Sequence, residues 1–452
     1  MHELYSALSK HMPKGPHCQK NNWLVMGCIA ALILLRDVGG IGVSRVVFIG
    51  LAVIACLLTD KSGIYCLLAF LTPLSSGISY TYITAIALVI LLCKENLRLR
   101  VQIGGLLCMA GILFLEFFSA FRGMFSLMEY LRFVGVFVCC FLRMLDLRND
   151  YDNEGILHGY LFGYWTAMAS ILGQMLRVYP LRQFLSLGVR FGNTRDATDV
   201  AEGMLISYNP NILGVFCLLA ALFCLLLYRK DKKRRYLVSF CGATLLGVMT
   251  QSRTFLLVYV MAIFLYALLS CKNVKTAVQS VLALAVGGII MVFAALWLVP
   301  EYVESLLLRF QAADLSNGRL SIAAYYFQEM FQHADRILFG VGLQNYPDKY
   351  GYFISSHNAT QEVLIAWGFL GLFLVLVLLL GVFWNGYRHN PRAKLVQYLP
   401  VLMCLLYTQA GQGFRDAPSM LRLMVAYSAI LLPLEGGNPL YESVMKYLHP
   451  AN

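Results

Sequence analysis

Charge is scarce in this sequence: Asp, Glu, Lys and Arg together make up 13% of 452 residues, against 59% apolar. Soluble domains carry about 25% charged and about 45–50% apolar residues. Such a deficit excludes a soluble chain and leaves an integral membrane protein. Also missing are the ten-residue alternating segments of an outer-membrane barrel, so helices are left to satisfy the backbone in lipid. Cysteine occurs 13 times but never as C-x-x-C. Cys28, Cys56, Cys66, Cys217 and Cys224 fall inside apolar runs and read as small packing residues, neither a zinc site nor a disulfide framework. Internal repeats and low-complexity segments are absent.

What is present is a series of apolar runs. Those at 281–299 and 363–384 hold few or no charges over ~20 residues, the length that crosses ~30 Å of hydrocarbon as a helix. Hydropathy places spans near 22–35, 42–58, 63–75, 81–93, 101–118, 127–143, 155–175, 211–228, 235–250, 254–270, 276–298, 363–385, 396–411 and 418–434. If 46–58 and 63–75 form a re-entrant pair, fourteen crossings become twelve. The expected fold is all-α and polytopic. Its organisation is a head 1–21, an N-terminal bundle 22–175, a first long loop 176–210, helices 211–298, a large loop 299–362, last helices 363–434 and a tail 435–452. The first span lacks a small-residue cleavage site and reads as uncleaved.

Alternate loops collect the lysines, including the run "RKDKKRR" at 229–235; of 13, only Lys349 falls on the other side. The positive-inside rule then puts both termini in the cytoplasm. The net charge of +12 is largely this collar, which suits topogenesis and anionic lipid rather than nucleic acid. The opposite face is poor in lysine but rich in arginine, with Arg36, Arg190, Arg195, Arg253, Arg309 and Arg319 among its residues. Arginine is the permanently charged fork that grips phosphate at two points, although it also anchors helix ends at headgroups.

Both long loops lie on that arginine-rich face. In the larger one, Ile322, Tyr326, Phe327, Met330 and Phe331 recur at helical spacing after a plausible cap at Asn317. This predicts an amphipathic helix along the membrane surface, ending at Gly340-Val341-Gly342. Arg319 in its first turn opposes the macrodipole and wants another reason. Gly-x-Gly with no strand before it is no dinucleotide motif. In "TQSRTFLL", Arg253 sits at a tight turn on two rigid helix ends, as an anion contact or an interfacial anchor. The segment "FGNTRDATDVAEGMLISYNPN" holds Arg195, follows directly on Arg190, and has no D-x-D. Its Asn209 and Pro210 read as a helix start. Glu129 and Arg132 are spaced as an ion pair, and Glu116 and Arg422 line a polar cavity or relay protons. Asn358 and Gln361 read as a capping box, which leaves His357 unexplained, a side chain that titrates near neutrality. Asn358-Ala359-Thr360 is also a glycosylation sequon, poorly placed against the bilayer.

In order, Ser252-Arg253, Gly318-Arg319, "FGVG" at 339–342, His357-Asn358 and "GFLG" at 368–371 resemble the O-antigen ligase and Wzy-type polysaccharide polymerase superfamily. The resemblance implies a GT-C-like glycosyltransferase of the bacterial cytoplasmic membrane, with its active site on the extracytoplasmic face. The implied substrate is an oligosaccharide on undecaprenyl pyrophosphate, transferred without metal or cofactor. It implies Arg253 and Arg319 on the pyrophosphate, Arg190 or Arg195 as a further clamp, and His357 as base for the acceptor hydroxyl. Asn358 is placed beside it. Tyr326, with Tyr325 and Tyr346, either stacks on sugar or sits at the interface. Membrane lipid, a chain-length regulator and a flippase are the implied partners. Polymerase is the favoured activity, ligase the alternative, and a lipid-linked oligosaccharide transporter the reading from another class.

Overall fold

The computed structural model describes residues 16–75, 78–95, 100–120, 126–148, 150–192, 209–271, 274–311, 318–343, 357–411, 413–414 and 417–434. Helices α1 to α8 are Pro16–Asp37, Arg45–Leu58, Lys61–Leu71, Tyr80–Lys94, Ile103–Ala120, Leu127–Leu145, Asn153–Val178 and Leu181–Ser186. Next come α9 (Pro210–Asp231), α10 (Arg234–Met249), α11 (Arg253–Ser270), α12 (Val274–Leu298) and α13 (Pro300–Phe310). The last five are α14 (Arg319–Phe331), α15 (Ala334–Phe339), α16 (Ala359–His389), α17 (Leu395–Thr408) and α18 (Ala417–Ile430). Among the described residues there is no strand, only a lone bridge between Val101 and Asp146.

Every apolar run singled out in the sequence falls on a helix. Among the described residues, four helices are long and apolar enough to cross a membrane: Pro210–Asp231, Arg253–Ser270, Val278–Leu298 within α12, and Ala359–His389. Every residue of α9 from Leu213 to Cys224 is buried. It packs on α10, α11 and α17, while α3 packs on α7 and α5 on α16. Leu282, Ile290 and Phe293 of α12 are instead exposed, as suits a side facing lipid.

The span expected at 363–385 is not one continuous helix. It starts earlier, at Ala359, and breaks at Gly368 (φ 63°, ψ −164°). There the Val341 amide donates to the Ile365 carbonyl (3.0 Å) and the Gly342 amide to that of Ala366 (2.7 Å). Carbonyls that a regular helix would satisfy internally are thus satisfied by the incoming loop. Gly340 also has positive φ (67°) with ψ −164°. A Cβ on Gly340 would lie 2.4 Å from the backbone of Ala366, and one on Gly368 would lie 2.3 Å from that of Leu338. The two glycines let two backbones touch, in a φ/ψ region essentially closed to other residues.

Glu116 of α5 completes the join. Its Oε2 accepts from the Leu343 amide (2.9 Å) and from Trp367 Nε1 (2.8 Å). Rather than lining a polar cavity, Glu116 clasps the loop to the broken helix, because two donors there need an acceptor in a dry setting. Arg422 likewise bonds the Ser419 hydroxyl and lies 5.3 Å from the centre of the Phe216 ring. Glu129 and Arg132 pair as their spacing predicts. Arg36 is no headgroup anchor: it is buried and bonds Asp37 at 2.7 Å.

Gly340→Ala and Gly368→Ala should each cost at least about 1–3 kcal/mol, the penalty of that backbone region for a residue with a Cβ. Detergent-solubilised melts should fall by several degrees; a melt equal to wild type for either variant would refute the account.

Candidate active site

The Ser252-Arg253 turn is built from four directions. Ser252, fully buried, caps α11: its Oγ accepts from the Phe255 amide (3.2 Å) and donates to Asn211 Oδ1 (2.8 Å). Asn209 caps α9 through the Asn211 amide (2.9 Å), with Pro210 first in the helix as its sequence implies. The Tyr407 hydroxyl of α17 donates to the Asn211 carbonyl (2.6 Å). The Tyr302 hydroxyl of α13 donates to that of Met249 (2.6 Å), and Arg190 Nε to that of Thr250 (3.1 Å). Gln251 takes a left-handed φ of 51° and reverses the chain in so little length that Arg253 opens α11.

Arg319 likewise opens its helix, after Gly318 at φ 76°. Asn317 lies outside the described residues. The amphipathic segment is not one helix to 339: α14 ends at Phe331 and α15 restarts at Ala334. Ile322, Tyr326 and Met330, four apart, form the buried face of α14. Tyr326 packs fully buried against Ile322, Val341 and Ile365. Packing therefore accounts for this ring, and a sugar has no access to stack on it. Leu320, Phe327 and Phe331 are exposed on α14, an arrangement that suits an apolar surface.

His357 and Asn358 sit at the start of α16. Asn358 is the cap, its Oδ1 accepting from the Gln361 amide (2.9 Å) and its Nδ2 donating to the Gln409 carbonyl (3.0 Å). The reciprocal half of a capping box does not form. Gln361 Nε2 turns away to donate to the Ala323 carbonyl (2.8 Å) and ties α14 to α16. Thr360 bonds Gln409 Oε1 (2.8 Å), and buried Glu362 accepts from the Phe414 amide (2.7 Å). His357 adopts φ 51°, unusual for a residue with a Cβ.

Four helix N-termini, those of α9, α11, α14 and α16, are thus linked directly or through α17. Each contributes about half a positive charge from its unpaired amides. The side chains add more. Arg319 is held below the ordinary guanidinium value by burial, and the Arg253 charge adds to the effect. His357 is likewise lowered, by burial first and by Arg319 second. Arg309, at the end of α13, is lowered by burial and by Arg253. Arg253, Arg309, Arg319 and His357 therefore lie within one another's electrostatic reach as a chain. Neither Arg309 nor Arg319 makes an ion pair among the described residues. A concentration of positive charge held on rigid helix ends is suited to an anion.

Arg319 feels the charge of Arg253, and His357 that of Arg319, while Asn358 serves as the helix cap beside His357 and Arg190 lines a neighbouring cleft with Arg309. Arg195 lies outside the described residues, as does Tyr346. Arg309 and Tyr407 are neighbours that sequence reasoning did not select. An arginine in the last turn of a helix is ordinary dipole complementation, and a tyrosine inside an apolar span gives no signal of its own. Among the described residues no cluster of His, Cys, Asp and Glu has the makings of a metal site.

Residues 237–376 match a family model described as O-antigen ligase. The matched region contains the Ser252-Arg253 turn, Gly318-Arg319, His357-Asn358 and the broken helix at Gly368; Arg190, Asn209 and Tyr407 lie outside it. The match supports the O-antigen ligase and polymerase superfamily. No curated protein matches the chain. The chain is an all-α membrane protein, and the matched region carries a cluster of basic side chains at helix ends.

Because the Arg319 charge depresses the imidazole, Arg319→Gln should raise the titration midpoint of His357. Carbon-13 histidine spectra, assigned by difference from His357→Gln, would show it, and an unmoved midpoint would separate the two residues.

Proposed function

We propose, for a chain whose residues 237–376 match the O-antigen ligase family, that the site transfers glycan from a lipid pyrophosphate to a sugar hydroxyl. The observation that supports this most directly is the joining of Arg253 and Arg319, each first in its helix, with a half-buried histidine. A lipid-linked glycan already carries a good leaving group. The chief task is to stabilise charge that builds on the pyrophosphate as the glycosidic bond breaks. Guanidinium forks and helix N-termini do this, each charge-assisted bond contributing about 1.5–3 kcal/mol.

In this reading the acceptor oxygen attacks the anomeric carbon as the bond to the pyrophosphate oxygen breaks. The pyrophosphate departs with the electron pair, and the hydroxyl proton passes to His357. A single displacement inverts the sugar carbon. A depressed imidazole pKa suits the role, since the base must be neutral at the working pH. The displacement is proposed to need no metal, positive charge being supplied by the protein. The site faces outward from the cytoplasmic membrane, both termini inward, in a GT-C-like arrangement of 12–14 crossings. The donor is undecaprenyl pyrophosphate oligosaccharide. The acceptor is a second lipid-linked repeat unit, which makes the enzyme a polymerase; a lipid-core acceptor would make it a ligase.

Purified protein with lipid-pyrophosphate oligosaccharide should yield a ladder of products. Transfer only to added lipid core would give the ligase instead, and no transfer with either would favour a transporter. Arg253→Ala and Arg319→Ala should each lower transfer at least about 100-fold, as loss of a transition-state contact of this kind does, with melts near wild type. Full activity in both would sink the site. His357 is lowered from 6.5, so the base is neutral above its folded pKa and lost as pH falls through it. The acid limb of kcat/KM should therefore lie below 6.5 and vanish in the residual activity of His357→Ala.

A further inference from the structure

Arg253 opens α11 and His357 precedes α16, helices well separated in the chain. The C-terminal end of α17 touches both sides. On the first side α17 packs on α9 and α11, where Gly214 leaves room for Tyr407: a Cβ on that glycine would lie 2.5 Å from the tyrosine hydroxyl. This hydroxyl donates to the Asn211 carbonyl (2.6 Å), and Asn211 Oδ1 accepts from Ser252 Oγ (2.8 Å), directly before Arg253. On the second side Gln409 meets the start of α16. Its carbonyl accepts from Asn358 Nδ2 (3.0 Å) and its Oε1 from the Thr360 hydroxyl (2.8 Å).

The last turn of α17 is shaped for this double contact. The Leu405 carbonyl is taken by the Thr408 hydroxyl (2.7 Å) and by Gln409 Nε2 (3.3 Å). The backbone then tightens into a 3₁₀-type turn, the Gln409 amide bonding the Leu406 carbonyl (3.1 Å) and the Ala410 amide that of Tyr407 (3.0 Å). Both ends of the Gln409 side-chain amide are engaged, which fixes its orientation. Further on, the amides of Gly413 (3.3 Å) and Phe414 (2.7 Å) donate to buried Glu362. The first turn of α16 is thus held at Asn358, Thr360 and Glu362 by the end of α17 and the segment after it. Tyr407 and Gln409 lie outside the matched residues 237–376.

We propose that the end of α17 is the spacer of the site, with Tyr407 a positioning residue for Arg253 and Gln409 a positioning residue for His357. The catalytic consequence rests on the transfer reading above; the spacing itself is a property of the fold. A guanidinium that holds the leaving group and a base that serves the acceptor must keep their interval, since a displacement of about 1 Å can cost about 100-fold in rate. Without the spacer each half keeps its own contacts with substrate, and the register between the halves is lost.

In the transfer assay with the full chain in nanodiscs, Tyr407→Phe and Gln409→Ala should each lower kcat at least about tenfold with the donor KM within about twofold of wild type, as lost alignment does. Unchanged kcat in both overturns the proposal. A residue that acts through another has no further effect once that other is gone. Tyr407→Phe should therefore change nothing more in Arg253→Ala, and Gln409→Ala nothing more in His357→Ala. The same fold-loss with and without those partners, as a general loss of stability gives, overturns the assignment. Should Tyr407→Phe not fold, Thr360→Val stands in: Thr360 and Gln409 are exposed, and Thr360→Val with Gln409→Ala should lower kcat no more than either alone. Multiplied losses in that pair overturn the contact as spacer. A readout that needs no turnover separates this inference from the transfer reading. In Gln409→Ala the carbon-13 titration midpoint of His357 should rise toward 6.5, because a loosened ring escapes the burial and the Arg319 charge that lower it. An unmoved or lowered midpoint overturns the spacer. A raised midpoint in a chain that transfers glycan to no acceptor keeps the spacer and removes the transfer reading.

Discussion

Two backbone amides, those of Val341 and Gly342, donate to carbonyls of a helix that would otherwise close on itself, and the functional geometry depends on that exchange. Within apolar surroundings each unpaired carbonyl would be costly, so helix and loop cannot separate cheaply. The Glu116 carboxyl locks the same junction from α5. Arg319 lies before this junction on a helix that packs against it, and His357 lies at the start of the helix that it breaks. The separation of those two side chains is therefore set by main-chain contacts rather than by the residues themselves.

Charge is the second theme. Helices α11 and α14 begin with Arg253 and Arg319, guanidinium groups where a carboxylate would normally complement the dipole, whereas α16 keeps the carboxylate of Glu362 in its first turn. The arrangement costs stability, since like charges are brought together at half-buried positions. An anion bound there, as the proposed transfer requires, would offset that cost by mass action.

Much of this was legible in the sequence. Scarce charge and long apolar runs announce helices in a membrane, and the asymmetry of lysine and arginine marks one face as unusual. Arg319 and His357 stand out because each violates a local rule, a cation at a helix start and a histidine left over after its neighbours are assigned to a cap; Arg253 stands out by its place in a tight turn between two rigid helix ends. What could not be read is anything made by backbone atoms across long separations. "FGVG" reads as a turn and "GFLG" as part of a span, yet Gly340 and Gly368 let the two backbones meet. Tyr326 shows the converse limit, because an aromatic at helical spacing fits a buried face as well as a sugar platform. Gln361 has the spacing of a capping box, but its side-chain nitrogen donates to the Ala323 carbonyl instead of its oxygen accepting from the cap amide. Arg309 stands in the sequence only as one of the arginines of that face, because a cation in the last turn of a helix follows the ordinary rule.

Leu343 is held by the Glu116 carboxyl and Asn358 by the Gln409 carbonyl, so the stretch between them is tethered independently at each end. The sequence between those two anchors can therefore change in length or composition without releasing Leu343 from α5 or Asn358 from Gln409.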